Sequence, residues 1–286
     1  MAERMNELTG KEWLQLSFSV WRDVAKDSEE RALKHPAAFP RMLVDKLLKI
    51  YLKGKNKLVM DPFLGIGTTL LAAKAAGHDG VGFDLNKDYL AIAEGRISAE
   101  LESHPTTFKI YNADSRNLLD HVEPNSVDLV VTSPPYWDIL NQKRTADKRD
   151  IKGYSQDKED LGNIEDYEEF LQNLKEVFSA VYVAMKPNSR CVSVVMDLRK
   201  KDKFFPLHED QTRIMKEIGF ELEEYVIWDR QRDYNNMKTL GYPWVFRFNK
   251  VHEFVCVYWK REQPQPKRKG GKKASIENGS EGLTPA

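Results

Sequence analysis

Short apolar, β-branched runs alternate with stretches of helical periodicity through most of the chain, and no other feature of the sequence restricts the fold so strongly. Strand-like runs lie at 57–60, 80–84, 107–111, 127–132, 190–197, 221–228 and 253–259. Helical patterns at 41–52, 68–76, 87–102, 165–185 and 207–218 fall between most of them, with Gly77 and Gly219 as C-terminal stops. A helix between two strands returns the chain to the end where it started, so such strands pair in parallel. The pattern therefore predicts an α/β fold, a parallel sheet with helices on both faces. The last two runs have no helix between them and are expected to be antiparallel neighbours. The expected architecture is a seven-stranded, mostly parallel sheet with a C-terminal antiparallel strand pair.

The 286 residues suffice for one substantial core. Residues 1–34 read as an N-terminal helical extension, 35–260 as the main domain and 261–286 as a basic tail. Two segments of the domain, near 137–163 and 229–252, fit neither periodicity. One is polar and charged, the other aromatic and basic. Structureless segments of this length are often functional, and both would leave the C-terminal side of the sheet, where ligands bind in such folds. No apolar run approaches the roughly 20 residues that span a bilayer, and the N-terminus lacks a secretory pattern. A cytoplasmic protein without membrane contact is expected. Cys191 and Cys256 each sit in an apolar run and read as buried free thiols, outside any metal-ligand spacing.

Lys and Arg total 44 and Asp and Glu total 44, so net charge points to no particular partner. The distribution is more telling. From Lys260 to Lys273 the sequence KREQPQPKRKGGKK is basic and rich in Pro, Gln and Gly, which reads as a disordered tail. Contact with phosphates and simple solubilisation are both open for it.

Residues 58–77, LVMDPFLGIGTTLLAAKAAG, run from a strand through a tight turn into a helix. The turn Gly65-Ile66-Gly67 lets the backbone approach a ligand, and the helix start presents free amides. A phosphate-binding loop would require Gly-Lys-Ser/Thr, and a dinucleotide site a further glycine at position 70. Here stand Gly67-Thr68-Thr69 and Leu70, so both fail. Asp84, at the end of the next strand and 19 positions beyond Gly65, is placed to accept from ribose hydroxyls. Asp114, after the third strand run, could meet an adenine edge or simply cap a helix. Glycine turn and acids together suit an adenosyl ligand without a diphosphate.

The buried run 127–132 leads directly into Ser133-Pro134-Pro135-Tyr136-Trp137. Two prolines end the ladder and fix an extended, rigid backbone. A hydroxyl before them and an aromatic after them, downstream of the glycine turn, make an ordinary proline turn a poor reading.

These two motifs, Phe63-Leu64-Gly65-Ile66-Gly67 and Ser133-Pro134-Pro135-Tyr136, together resemble the amino-methyltransferase family of DNA methyltransferases. The segment His35-Pro36-Ala37-Ala38-Phe39-Pro40 resembles that family's N-terminal cofactor motif, and the likeness covers roughly residues 32–260. Many members with Ser-Pro-Pro-Tyr carry the catalytic half first, so the order here leaves the subclass open. The resemblance implies a Rossmann-like S-adenosylmethionine-dependent fold and no metal. It implies cofactor contacts from Phe39, Pro40, Asp61, Pro62, Phe63, Gly65, Gly67, Thr68, Thr69, Asp84 and Asp114. Ser133, Pro134, Pro135 and Tyr136 become the catalytic set. There Ser133 Oγ and the Pro134 carbonyl would accept from the two hydrogens of an exocyclic amine. Tyr136 would stack on a base flipped out of double-stranded DNA, with Trp137 either extending that wall or packing on the core.

The family's association of Ser with cytosine points to cytosine N4, while adenine N6 and an RNA base amine share the pocket chemistry. Methylation at cytosine carbon 5 would require a thiolate nucleophile, for which neither cysteine is suited. A catalytically dead nucleic-acid-binding module is the non-enzyme alternative, against which Asp61, Asp84, Ser133 and Tyr136 are all present. Lys143, Arg144 and Arg149 in the first unassigned segment are candidates for DNA contact. So are Arg230, Arg232, Lys238 and Arg247 in the second, with Tyr234, Tyr242 and Trp244. Solvated surface charge is the plainer alternative for both. The resemblance leaves room for a cognate restriction endonuclease as partner and leaves the oligomeric state open.

Overall fold

The computed structural model describes residues 4–33, 39–101, 104–138, 159–233 and 239–262 of the chain. Helix α1 (Gly10–Leu16), strand β1 (Val20–Trp21) and helix α2 (Ser28–Ala32) precede α3 (Arg41–Tyr51). The alternating part follows as β2 (Leu58–Asp61), α4 (Thr68–Ala75), β3 (Asp79–Phe83), α5 (Lys87–Ala99), β4 (Phe108–Tyr111) and β5 (Val127–Thr132). Then come α6 (Tyr167–Ala184), β6 (Met185–Val195), the hairpin β7 (Leu198–Lys200) and β8 (Lys203–Phe205), α7 (Leu207–Ile218), β9 (Glu221–Asp229) and β10 (His252–Trp259).

The main sheet runs β1-β9-β10-β6-β5-β2-β3-β4. Strand β10 is antiparallel to both β6 and β9, while the other pairings are parallel. The expected α/β class, mostly parallel sheet and C-terminal antiparallel strand are all present. From β2 the chain winds outward through β3 and β4, then returns to place β5 on the other side of β2. That reversal opens a crevice beyond the carboxyl ends of β2 and β5, where ligands bind in open α/β sheets.

Successive strand residues face opposite sides, and both sides are covered, which is why the central strands read as unbroken apolar runs. Val59, Leu129, Val131, Val192, Val194 and Val255 pack toward Leu43, Val44, Leu47 and Leu48 of α3. Met60, Val130, Cys191 and Cys256 pack on the other face with Phe170, Leu174, Val177 and Phe178 of α6. Asp166 Oδ1 starts α6 by accepting from Glu169 N at 2.9 Å, and Asn86 caps α5 in the same way.

Three features differ from expectation. The sheet has eight strands rather than seven, because Val20 and Trp21 add to its edge, opposite Ile227 and Trp228. Two residues are too few to register as alternation. Residues 198–205 form a hairpin through a left-handed Lys201 (φ 57°). Finally, Lys260 does not begin the tail: its Nζ donates to the carbonyls of Tyr182 (2.7 Å) and Met185 (2.6 Å) and to Asn125 Oδ1 (3.1 Å). It anchors the end of β10, and Arg261 pairs with Glu221. Residues 267–273 lie outside the described residues, as do Lys143, Arg144, Arg149, Tyr234, Lys238 and residues 35–38.

Candidate functional site

Asp61 ends β2 and is buried. Its carboxylate accepts from Phe63 N (3.0 Å), Thr69 Oγ1 (2.7 Å) and Thr132 Oγ1 (2.6 Å). One acid thus joins the Asp61-Pro62-Phe63 turn, the first turn of α4 and the last residue before Ser133. Burial pushes its pKa up to about 6, against the lowering effect of those three donors.

At the end of β3, Asp84 accepts from Gly65 N through Oδ2 at 2.7 Å and from Asn86 N through Oδ1 at 2.8 Å. It too is pushed up by burial to about 6. Each carboxylate oxygen keeps a further lone pair for a ligand. Ser115 Oγ donates to the Pro62 carbonyl, so the segment after β4 also braces the turn.

The two glycines of the turn do different work. Gly65 faces the cleft with a left-handed φ of 53°. Gly67 (φ 78°) turns inward, where a Cβ would sit 2.8 Å from Ala93 Cβ of α5. It permits close helix packing instead of lining the cleft.

The cleft, about 840 Å³ including its open mouth, lies over the ends of β2, β3 and β5. Of the expected cofactor residues, Phe39, Asp61, Pro62, Phe63, Gly65, Thr68, Asp84 and Asp114 line it. Pro40 and Thr69 support it from behind: the Pro40 carbonyl accepts from Leu43 N at the start of α3, and Thr69 holds Asp61. Asp114 also caps the 3-10 helix Ser115–Asp120 and pairs with Arg116. Tyr89 and Asp160 line the cleft as well, and sequence reading missed both. Asp160 lies within the segment 137–163 that fits no periodicity, so no pattern in the sequence singled it out.

Ser133 and Pro135 share this cleft. Ser133 Oγ lies 3.0 Å from the Val194 carbonyl and 3.1 Å from Tyr136 Oη. Tyr136 is 7% exposed and does not line the cleft as placed. Its hydroxyl donates to Glu253 Oε2 at 2.7 Å, so stacking on a base would require the ring to leave that partner. Glu253 was missed too, although an acid inside the apolar run 253–259 was a readable signal. Trp137 takes the core-packing alternative: its ring meets Tyr167 at 5.0 Å and Phe205 at 4.9 Å, with Lys200 Nζ over it at 4.0 Å.

The expected DNA-contact residues divide. Arg230 forms an ion pair with Glu253 and lies over Trp228, turned into the protein. Arg232 is exposed, and Arg247 reaches the Lys201 carbonyl of the hairpin at 3.0 Å. Around them Tyr242, Trp244, Phe246 and Phe248 stand exposed, Trp244 at 89%. Lys250 lies over Phe204 of β8 at 4.4 Å, so this segment and the basic hairpin form one surface. The hairpin sequence Arg199-Lys200-Lys201-Asp202-Lys203-Phe204 was an unread signal of the same kind.

Cys191 and Cys256 are free and buried, and burial raises both thiol pKa values. Among the described residues, no group of three or more His, Cys, Asp or Glu side chains is placed to hold a metal ion. No helix among them is long and apolar enough to cross a membrane.

Comparison with known proteins bears on this site. The chain is 40% identical over 79 residues to the type II methyltransferase M.ScaI of Streptomyces caespitosus, covering 28% of this chain and 26% of that protein. It is 37% identical over 86 residues to M2.DpnII of Streptococcus pneumoniae, covering 30% and 32%. These matches therefore span about a third or less of the relatives' own lengths. A structure of a DNA modification methylase from Thermus thermophilus complexed with S-adenosyl-L-methionine is similar at 29% identity. That match covers 55% of this chain and 57% of that one, with a TM-score of 0.38. The family model described as DNA methylase matches residues 2–95 and 127–281. With most of its length covered by that match, the chain belongs to the N6/N4 amino-methyltransferase family of DNA methylases.

Proposed function

We propose that this protein transfers a methyl group from S-adenosylmethionine to an exocyclic amine of a base in double-stranded DNA, with cytosine N4 as the target. The observation that carries the reading is that Ser133 and Pro135 share one cleft with Asp84 and the glycine turn. A donor bound by the turn and an acceptor base held by the tetrapeptide would meet there.

The cleft's own chemistry fits the cofactor. Asp61, Asp84, Asp114 and Asp160 line it, and no Lys, Arg or His stands among the described lining residues. Such a lining repels the phosphates of a dinucleotide and favours a cation. When bound, S-adenosylmethionine supplies an electrophilic methyl group on a sulfonium. Asp84 would hold the ribose hydroxyls, Asp114 the adenine edge, and Phe39 the methionine end. Ser133 Oγ and the Pro134 carbonyl would accept from the amine, directing its lone pair inward; this is positioning without a covalent intermediate.

Double-stranded DNA would dock on the exposed surface of Trp244, Phe246, Arg232, Arg247 and the 198–205 hairpin, with phosphates on the cations and unstacked bases on the rings. For its amine to reach Ser133 inside the cleft, the target base would flip out of the helix. A cognate restriction endonuclease would be a partner of such an activity.

Mass spectrometry of digested DNA after incubation with protein and cofactor tests the reading. N4-methylcytosine is expected. N6-methyladenine would overturn the base assignment and keep the chemistry, whereas 5-methylcytosine or no product would overturn both.

A further inference from the structure

Behind the tetrapeptide a chain of hydrogen bonds runs from the cleft to the start of β10. Ser133 Oγ lies 3.1 Å from Tyr136 Oη, and Tyr136 Oη lies 2.7 Å from Glu253 Oε2. Both hydroxyls also sit near the Val194 carbonyl, at 3.0 Å and 3.3 Å. Glu253 is 4% exposed, and its other oxygen takes the Arg230 guanidinium. Each hydroxyl owns one hydrogen, and a carboxylate oxygen only accepts. The charge-assisted contact therefore takes the Tyr136 hydrogen, which leaves Tyr136 none to give to Ser133. Tyr136 and Val194 then both present lone pairs to Ser133. Ser133 donates its own hydrogen inward to one of them and keeps its lone pairs for the cleft.

We propose that Glu253 is a positioning residue that, by claiming the Tyr136 hydrogen, makes Ser133 an acceptor alone toward the cleft. The inference deepens the amine-transfer reading above and rests on it. An acceptor-only Ser133 takes an N–H donor such as cytosine N4 or adenine N6. A thymine O4 or guanine O6 in the same place would set lone pair against lone pair. Arg230 fixes the direction of the relay. A glutamine at 253 would keep its carbonyl on the guanidinium and turn its amide N–H toward Tyr136. Tyr136 would then accept, and its freed hydrogen could go to Ser133, blocking the lone pair that the amine needs.

The test compares wild type, Glu253→Gln, Tyr136→Phe and the double variant in steady-state kinetics and in cofactor affinity by calorimetry. Glu253→Gln is expected to lower kcat about ten- to a hundredfold, the scale of a charged hydrogen bond. KM and cofactor affinity should stay within about twofold, because the contact acts on the reacting amine. The double variant should be no slower than Tyr136→Phe, since both changes break one relay. Glu253→Asp, which keeps an acceptor, should restore part of the rate. With isotope-labelled tyrosine, the ζ-carbon resonance that Tyr136→Phe removes should move in Glu253→Gln. Should Glu253→Gln not fold, Glu253→Asp carries the test, its smaller loss vanishing in the Tyr136→Phe background. Wild-type kcat in Glu253→Gln, losses that multiply in the double variant, or an unmoved resonance would overturn this inference alone. A wild-type protein that methylates no base would overturn it together with the amine-transfer reading.

Discussion

The glycine turn and the tetrapeptide line one cleft but are held in place differently. At the turn, a backbone amide of Gly65 rests on Asp84, 19 positions away. At the tetrapeptide, a side-chain hydroxyl of Tyr136 rests on Glu253, 117 positions away, with Arg230 behind it. The first arrangement is local and assembled by consecutive strands. The second exists only once β10 has inserted between β6 and β9. Asp61 joins the two, through Thr69 on one side and Thr132 on the other. The cofactor side thus depends on short-range geometry, and the catalytic side on completion of the sheet.

If this contrast is right, breaking the distant support should be the costlier change. Arg230→Ala removes the ion-pair partner of the buried Glu253 carboxylate and leaves it the Tyr136 hydroxyl, and breaking a buried pair costs about 3–5 kcal/mol. Because the Arg230 side chain is 24% exposed, the low end of that range is expected in urea unfolding. A loss below about 1 kcal/mol, the value of a surface pair, would remove the distinction.

On the local side, Gly67→Ala combines a left-handed backbone with contact against Ala93 of α5. A loss of about 2–3 kcal/mol in unfolding free energy is expected. An unchanged melting temperature would show that α4 and α5 can separate at no cost.

A smaller effect comes from pH. Asp84 titrates near 6 in the folded protein, well above its usual 3.8. If ribose hydroxyls donate to its carboxylate, S-adenosylmethionine affinity should fall as pH drops through about 6, by at most about tenfold per unit. Stability of the free protein moves the other way. A raised carboxylate pKa favours the folded state fully below about 3.8, and that contribution is lost as pH rises through about 6. Asp84→Asn should remove the acid limb of the binding profile. A limb that persists in this variant would point to Asp61, which titrates in the same range.

The same contrast explains what the sequence disclosed. Strand-helix alternation, the glycine turn and the acids at strand ends are local patterns, and the central sheet and cleft followed from them. Asp160 reaches the site through the fold, so no spacing announced it. Glu253 stood out only as an acid in an apolar run, with nothing to name its partner Tyr136. Val20–Trp21 is too short to show alternation, and the 198–205 hairpin carries its aromatics on one strand end. Arg230 read as one more surface cation because its partner is 23 positions away, on the next strand. Tyr136 read as an exposed ring because its motif carries no sign of the carboxylate that turns it inward.

The central claim is that Ser133 serves the reacting amine while the glycine turn serves the cofactor, in one cleft. Single-turnover methyl transfer by Ser133→Ala, with cofactor affinity measured on the same preparation, tests it directly. The account predicts a rate lowered about a hundredfold, the scale of one preorganised transition-state contact, with cofactor affinity unchanged. A full rate, or a loss of affinity that matches the loss of rate, would contradict it.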